Sequence, residues 1–280
     1  MTPLLSIVIA NYNYGRFLED AIRSVVEQDG FNKCELIVVD GGSTDNSVEV
    51  IKKYANKIAW WVSEKDKGQS DAFNKGFAHA RGRLGCWVNA DDLLLPGALR
   101  AVCDYAEMHP ECKWIGGGVI WLAKDLTIVK CSFNCKIPRF LQNISPGFIV
   151  GGPSSFFCLD VLRTLGGFDT RLHYAMDNDL WLRMLAHGVR LNNLSRYIWT
   201  FRMHEASKTT MNLSPHDVSK LPVERVLDRD ILFDRYRMVM KFARLTSKII
   251  SFIKLTNGTY AKSFVDTLKY KGHDVREVFK

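Results

Sequence analysis

Two adjacent carboxylates, Asp91 and Asp92, follow the apolar run Leu84 to Val88 in the string Asn89-Ala90-Asp91-Asp92. Paired acids where a buried strand leaves its sheet offer a place for a hard divalent cation, since Mg²⁺ takes one or two protein carboxylates and fills its shell with water and phosphate oxygens. In open α/β sheets, ligands gather beyond the carboxyl ends of the strands. The same two residues also suit a turn that caps the helix following Pro96. A second acidic string, Met176-Asp177-Asn178-Asp179, opens a later helix. Asp179 has Arg183 four residues on, the spacing of a helix-surface ion pair. Asp177 instead shares a face with Trp181 and Met184, which points it toward a buried or cleft-facing side. There it can serve as a general base or, more simply, as a helix cap.

The elements that must position these acids follow one grammar in the N-terminal half. Apolar strands are read at Leu4 to Ala10, Glu35 to Val39, Ala59 to Val62 and Leu84 to Val88. Helical spacing covers Arg16 to Gln28, Ser47 to Tyr54 and about Ser70 to Ala80. Continuous apolar strands alternating with helices predict a parallel sheet covered on both faces, with all four strand ends opening on one edge. At that edge Tyr12 offers an aromatic face, Asp40 an acceptor for a base edge, and Asp45 a carboxylate in a Gly-rich loop before a helix. Singly, they also read as a rim aromatic, a turn former and a cap. The loop Gly41 to Ser47 lacks the Gly-Lys-Ser/Thr of a P-loop, and no G-x-G-x-x-G follows the first strand. A phosphate here is better held through a metal than by a glycine cradle.

Four strings carry a family resemblance: Ser6 to Asn13, Val38 to Ser47, Gly68 to Gly76, and Asn89 to Gly97. In this order, at strand ends, they resemble the family 2 glycosyltransferases of the GT-A fold, over roughly residues 4 to 210. The resemblance implies an α/β, Rossmann-like GT-A fold with a mainly parallel sheet. It implies that Tyr12 and Asp40 contact a nucleotide base, that Asp91 lies near the ribose and metal, and that Asp92 binds the metal. Asp45, Asp71 and Asn74 join the donor-binding set. Two positions depart from the family pattern: Asn11 stands where Thr is common, and Phe73 where many members carry Arg. Met176 likewise replaces a frequent Glu. The segments Gly151 to Phe157 and Gly166 to Asp169 resemble an acceptor-side floor, though Gly-Gly and Pro also mark plain turns.

His204 follows a predicted strand, Tyr197 to Arg202, in a string similar to the Arg-x-His-x-x-Ser-Lys stretch of many relatives. Imidazole suits Mn²⁺ better than Mg²⁺, so His204 is a candidate metal or diphosphate ligand. Arg202 and Lys208 are candidates to neutralise phosphate charge. The implied reaction moves one sugar from a UDP, GDP or dTDP sugar to a hydroxyl of a saccharide or lipid-linked saccharide, with inversion and Asp177 as base. The Gln-x-x-Arg-Trp string of processive members is missing. The resemblance places such an enzyme in bacterial surface polysaccharide synthesis. Two other classes fit less well. A nucleotidyltransferase would be expected to show a basic Gly-rich loop near the first strand; a non-catalytic sugar-nucleotide or glycan-binding module could keep the fold without the base.

The chain of 280 residues, 47% hydrophobic, is long enough for a full core. The resemblance divides it into a catalytic domain at 1–210, with a nucleotide-sugar half to about 121 and an acceptor half beyond, and a helical extension at 211–280. Seven cysteines have no paired zinc spacing beyond Cys131-x₃-Cys135, and read as reduced thiols. With no basic leader and no 18-residue apolar run, a cytoplasmic location is expected. Lys and Arg total 38 against 30 Asp and Glu; 24 and 22 of these precede residue 211, leaving 14 against 8 after it. In that basic tail, Phe242, Leu245, Ile249, Phe252 and Ile253 gather on one helical face beside Arg237, Lys241, Arg244 and Lys248. Such a helix can lie peripherally on the cytoplasmic face of a membrane, or pack on the catalytic domain. Nucleic-acid binding is excluded by the lack of a zinc-finger or RNP string.

Overall fold

The computed structural model describes residues 2–133, 152–207, 252, 256 and 258–279. Four strands form the expected parallel half-sheet: β1 (Leu5–Asn11), β2 (Cys34–Asp40), β3 (Trp60–Ser63) and β4 (Leu84–Asn89), in the order β3-β2-β1-β4. Their crossovers are α1 (Gly15–Val26), α2 (Ser47–Lys53) and α3 (Gln69–Ala78). The register places Asn11 beside Asp40 and Ala10 beside Asn89, so the carboxyl ends of β1, β2 and β4 are level. The sequence reading placed each of these elements to within about two residues, the ordinary scatter of boundaries.

Alternation along β1 shows why both faces need cover. Val8 joins one core with Ala72, Phe73 and Phe77 of α3. Leu5, Ile7 and Ile9 join the other, with Leu18, Ile22 and Val25 of α1, Ile51 of α2, and Leu99 and Val102 of α4 (Ala98–Met108). α4 begins just past Pro96, as read, but its N-cap is Gly97 with no side-chain cap bond, so Asp91 and Asp92 do not cap it.

Beyond β4 the sheet is mixed. β7 (Ser155–Cys158) pairs antiparallel with β4 and with β5 (Trp114–Leu122). β6 (Ile128–Ser132) is antiparallel to β5, and β8 (Asn192–Arg202) runs parallel to it. Two helices, α5 (Leu159–Thr164) and α6 (Met176–Ala186), lie between β7 and β8 in sequence. The end of the chain, α7 (Thr259–Tyr270) and α8 (Val275–Val278), returns to this half: Gly272 N–H donates to Ile128 O, and Val275 is buried with Leu126, Ile128 and Tyr197. Apart from Phe252, which is exposed, the helix expected around residues 237–253 lies outside the described residues, as do the boundary near 210, Lys208, Cys135 and most of the expected acceptor loops up to residue 149. All six described cysteines are free thiols. No helix among the described residues is long and apolar enough to cross a membrane.

Candidate active site

The first wall of the site is a latch between two loops. Asn13 takes a left-handed conformation, φ 57°. That turn lets its N–H donate to Ser43 Oγ at 2.8 Å while its Oδ1 accepts from Thr44 N at 2.8 Å. Asp40 lies beneath, fully buried, accepting from Asn11 Nδ2 (2.7 Å), Ser43 N (2.9 Å), Ser63 Oγ (2.6 Å) and the Ser43 hydroxyl. Burial pushes its carboxyl up, but these donors outweigh it and hold it below the usual range. Four acceptor positions are thereby used, so Asp40 shapes the loop rather than presenting an open oxygen to a base. Asp45 is similarly committed. It accepts from Gly15 N at 2.9 Å, Ser47 N at 3.0 Å and the Ser47 hydroxyl, joining the starts of α1 and α2. Burial raises its pKa, and the Ser47 and Gly15 bonds bring it below normal. Tyr12 projects into solvent, 60% exposed. Asn11, the first departure from the family pattern, thus serves as a donor to Asp40.

The third loop turns Asp66 inward, where Gly68 N–H donates to its Oδ1 at 2.8 Å and burial raises its pKa. Asp71, in the first turn of α3, accepts from Lys67 N at 3.1 Å and faces Lys75 Nζ at 3.7 Å. Asn74, expected to bind the donor, is tied to the backbone of Phe168. Its Oδ1 accepts from Phe168 N and its Nδ2 donates to Phe168 O, each at 2.8 Å, which ties α3 to the Gly166-Gly167 turn. Both halves of its amide are occupied by one backbone unit. Phe73, the second departure, is fully buried against Trp87 and Phe168, at centroid distances of 5.2 and 5.4 Å.

At the end of β4 the two aspartates separate by environment. Asp92 is 1% exposed; its Oδ1 accepts from Arg202 N and its Oδ2 from Asn89 Nδ2, both at 2.8 Å. Burial first, and the charge of Asp91 second, push its carboxyl well above the usual carboxylate range. Enclosed in this way, Asp92 ties β4 to β8 through the Arg202 backbone. Asp91 faces the cleft. Its Oδ2 lies 3.0 Å from His204 Nε2, with the His204 ring held by Phe17 (4.6 Å) and, edge-on, Tyr14 (5.7 Å). Tyr14 Oη donates to Ala206 O at 2.6 Å, and its pKa is pushed up to about 12 by burial and then by Asp91.

The Asp91–His204 contact has the length of an ordinary N–H···O hydrogen bond, and the two groups are also of kinds that can ligate a divalent cation. Neighbouring ligands of an octahedral ion at about 2.0–2.1 Å lie about 2.9 Å apart, close to the 3.0 Å seen here. The imidazole is buried and its Nδ1 has no hydrogen-bond partner among the described residues, so the ring is held by packing with one face of chemistry turned to Asp91. No group of three or more His, Cys, Asp or Glu that could hold a metal occurs among the described residues. A cation here therefore depends on further oxygens, and diphosphate oxygens would serve. Arg202 does not reach this cleft as expected: its guanidinium lies over Phe17 at 5.0 Å and meets Asp20 at 3.4 Å.

Asp177, in the first turn of α6, lies beside the Gly152 turn, which packs on Trp87 of β4. Ser70 Oγ donates to Leu172 O at 2.9 Å, tying the lead-in of α6 to the start of α3. Its Oδ1 accepts from Asn178 N at 2.7 Å. A Cβ at Gly152 would lie 3.1 Å from Asp177 Oδ2 and 2.6 Å from the Trp87 ring, so glycine is what lets the 152–154 turn approach both. Burial raises the Asp177 pKa, and the Asn178 bond offsets only part of that. Asp179 differs from its expected surface pairing: it is wholly buried, with Arg183 Nε at 2.7 Å and Arg183 in turn donating to Leu165 O at 2.9 Å. The sequence reading assigned no role to Gln69, Asn89 or Tyr14. Gln69 Nε2 donates to Asn89 Oδ1 at 3.1 Å, which orients the amide that Asp92 accepts from. The signal for Asn89 lay in the quoted motif itself, whereas nothing in sequence spacing points Tyr14 at Ala206.

Comparison with known proteins gives the family and the fold. The family model described as Glycosyl transferase family 2 matches residues 6–159. The putative glycosyltransferase EpsE of Bacillus subtilis is 28% identical over 214 residues, covering 71% of this chain and 73% of that protein. An uncharacterized glycosyltransferase of Mycobacterium tuberculosis is 30% identical over 183 residues, 65% of this chain and 68% of its own. One of Nostoc is 38% identical over 103 residues, but that match spans only 32% of its length. Among solved structures, TarS 1–349 of S. aureus in complex with UDP-GlcNAc matches with a TM-score of 0.57 at 18% identity, over 72% of this chain and 59% of that one. The mannosyltransferase PcManGT of Pyrobaculum calidifontis, in complex with GDP-Man and Mn²⁺, gives 0.57 at 20% identity, over 74% and 59%. The fold is the mixed α/β GT-A architecture.

Proposed function

The chain belongs to glycosyl transferase family 2, and we propose that it is a metal-dependent, inverting enzyme that moves one sugar from a nucleotide-sugar donor to an acceptor hydroxyl. What supports this reading is a pair of unlike acidic centres: Asp91, hydrogen-bonded to His204 at 3.0 Å, and Asp177, beside the Gly152 turn that packs on Trp87 of β4, with its pKa raised by desolvation.

The division of labour follows from chemistry. Asp177, ionised, takes the proton of the acceptor hydroxyl as that oxygen attacks the anomeric carbon, while the bond from that carbon to the diphosphate oxygen breaks. The bonding pair leaves with the nucleoside diphosphate, and the anomeric carbon inverts through an oxocarbenium-like transition state. A divalent cation held by Asp91 and His204 would supply Lewis-acid neutralisation of the departing diphosphate. Asp92 holds the Asp91 turn against β8, and Tyr14 and Phe17 hold the His204 ring. Tyr12, exposed above the Asp40 latch, is placed to stack on a base. The donors named for the solved neighbours, a UDP sugar and a GDP sugar, frame the candidates for this chain. The acceptor class proposed is a saccharide or lipid-linked saccharide of a bacterial surface polymer, met at the cytoplasmic side.

Calorimetry with UDP, GDP and dTDP, each with and without Mn²⁺, tests the reading on wild type and Asp91→Asn. Binding of one nucleotide that needs both Mn²⁺ and Asp91 is the expected result. No binding of any nucleotide by the wild type rejects it.

A further inference from the structure

Surface helices ordinarily bury an apolar stripe and turn polar residues to water. α7 is built the other way round. Apart from Tyr270 at its end, which packs on the Val275 cluster, the side chains that attach it to the catalytic sheet are polar: Thr267 Oγ1 accepts from Cys131 N at 3.0 Å, Ser263 Oγ from Phe133 N at 3.1 Å, and Asp266 Oδ2 from Tyr197 Oη at 2.6 Å. None of its residues is buried. At about 100° per residue, Ser263, Asp266 and Thr267 lie on the sheet side, while Phe264, Val265 and Leu268 lie on the side away from it. These three are 64%, 58% and 67% exposed. Of the seven large apolar side chains exposed among the described residues, four belong to this one helix, which makes the stripe a feature of α7 rather than scattered surface.

Charge decides what covers it. Lys262 and Lys269 follow Val265 round the helix and border the stripe, and Lys271 stands just past its end. The one carboxylate of α7, Asp266, is turned in toward Tyr197 and meets Lys262 Nζ at 3.1 Å. A second copy docking symmetrically through this face would set its lysines against the same lysines. Residues 211–257, with 9 Lys and Arg to 5 Asp and Glu, offer no acidic excess to match them. An anionic lipid surface satisfies both parts at once: acyl chains accept the apolar stripe, and headgroup phosphates accept the ammonium groups at the ends of long side chains.

We propose that the outward face of α7 docks on an anionic bilayer surface, with Phe264, Val265 and Leu268 in the interface and Lys269 and Lys271 at headgroup level. Because α7 is bonded to β6 and to Tyr197 of β8, docking fixes the orientation of the catalytic sheet relative to the membrane. The proposal rests on the helix and not on the sugar-transfer reading.

Flotation of the full chain tests it, using vesicles of phosphatidylcholine alone and vesicles of equal parts phosphatidylcholine and phosphatidylglycerol. The wild type is expected to float with the anionic vesicles and at least about tenfold less with the neutral ones. The pair Phe264→Ser with Leu268→Ser, and separately Lys269→Glu with Lys271→Glu, should each lower flotation about tenfold. All three proteins should melt alike, since the replaced side chains are exposed. Failure of the wild type to float, or equal flotation by the serine pair, overturns the proposal. So does light scattering that shows a wild-type dimer which the serine pair dissolves, because a second copy would then cover the face.

Discussion

At the scale of single residues, environment separates three aspartates that look alike in sequence. Asp177 has its pKa raised by burial without a cation among the causes. As a base it must be ionised, so kcat/KM should fall with decreasing pH through a value above the ordinary carboxylate range, and Asp177→Asn should lose about 10²- to 10⁴-fold in turnover with nucleotide binding retained. Stability should move oppositely. A carboxyl whose folded pKa exceeds its unfolded value adds stability that is fully present below the unfolded pKa and is lost as pH rises through the folded one. Asp177→Asn should therefore melt above wild type at neutral pH, with the gap closing in acid, as a melting series across pH would show. Asp91 and Asp92 should also part company. Asp92→Asn must turn an amide N–H₂ toward Arg202 N–H or Asn89 Nδ2, leaving a buried donor unpaired at a cost of about 1–3 kcal/mol. Asp91→Asn keeps the fold and loses metal-linked nucleotide binding. Urea titration beside calorimetry distinguishes them; equal stability of the two variants would refute the division.

Elements explain why part of this was legible in sequence. The half-sheet β3-β2-β1-β4 was readable because continuous apolar runs, buried on both faces in β1, β2 and β4, alternate with helical spacing, and that pattern is set by neighbours in the chain. The acids at the edge were readable because a polar string after a buried strand has few other uses. The split between Asp91 and Asp92 was not, since Asp92 is enclosed by Arg202, 110 residues away in sequence. Nor was β7, whose antiparallel pairing with β4 depends on a contact between Leu84 and Cys158. Asn74 shows the same limit. Its place in the third motif suggested a donor contact, but its partner is the backbone of Phe168, across a turn in which Gly166 and Gly167 both take positive φ, 78° and 77°. Asn74→Ala should leave the Phe168 N–H and C=O without their amide, costing about 1–3 kcal/mol. Gly167→Ala should cost at least as much, because its Cβ would lie 2.6 Å from Asn74 Oδ1 on top of the strained φ. Chemical denaturation of both checks this, and an unchanged midpoint for Asn74→Ala would remove the latch from the account.

Across the whole molecule, the site joins segments that are distant in the chain: loops after β1 and β2, the turn after β4, the start of α6, and His204 after β8. None of these holds a ligand alone, and the Asp91–His204 pair leaves most of a cation's shell to come from elsewhere. Donor and cation should accordingly bind as a unit. Anything that binds only the folded state stabilises it by RT ln(1 + [L]/Kd), about 2.7 kcal/mol at a hundredfold excess over Kd, or roughly 5–10 °C in melting temperature for a domain of this size. The cognate nucleotide with Mn²⁺ should produce a shift of that order, and either component alone much less. The shift should survive in Asp177→Asn, which leaves both ligands their contacts, and disappear in Asp91→Asn and His204→Ala. A full shift from nucleotide without metal would show that the diphosphate is held by the protein directly, and the Asp91–His204 pair would then be an ordinary buried hydrogen bond.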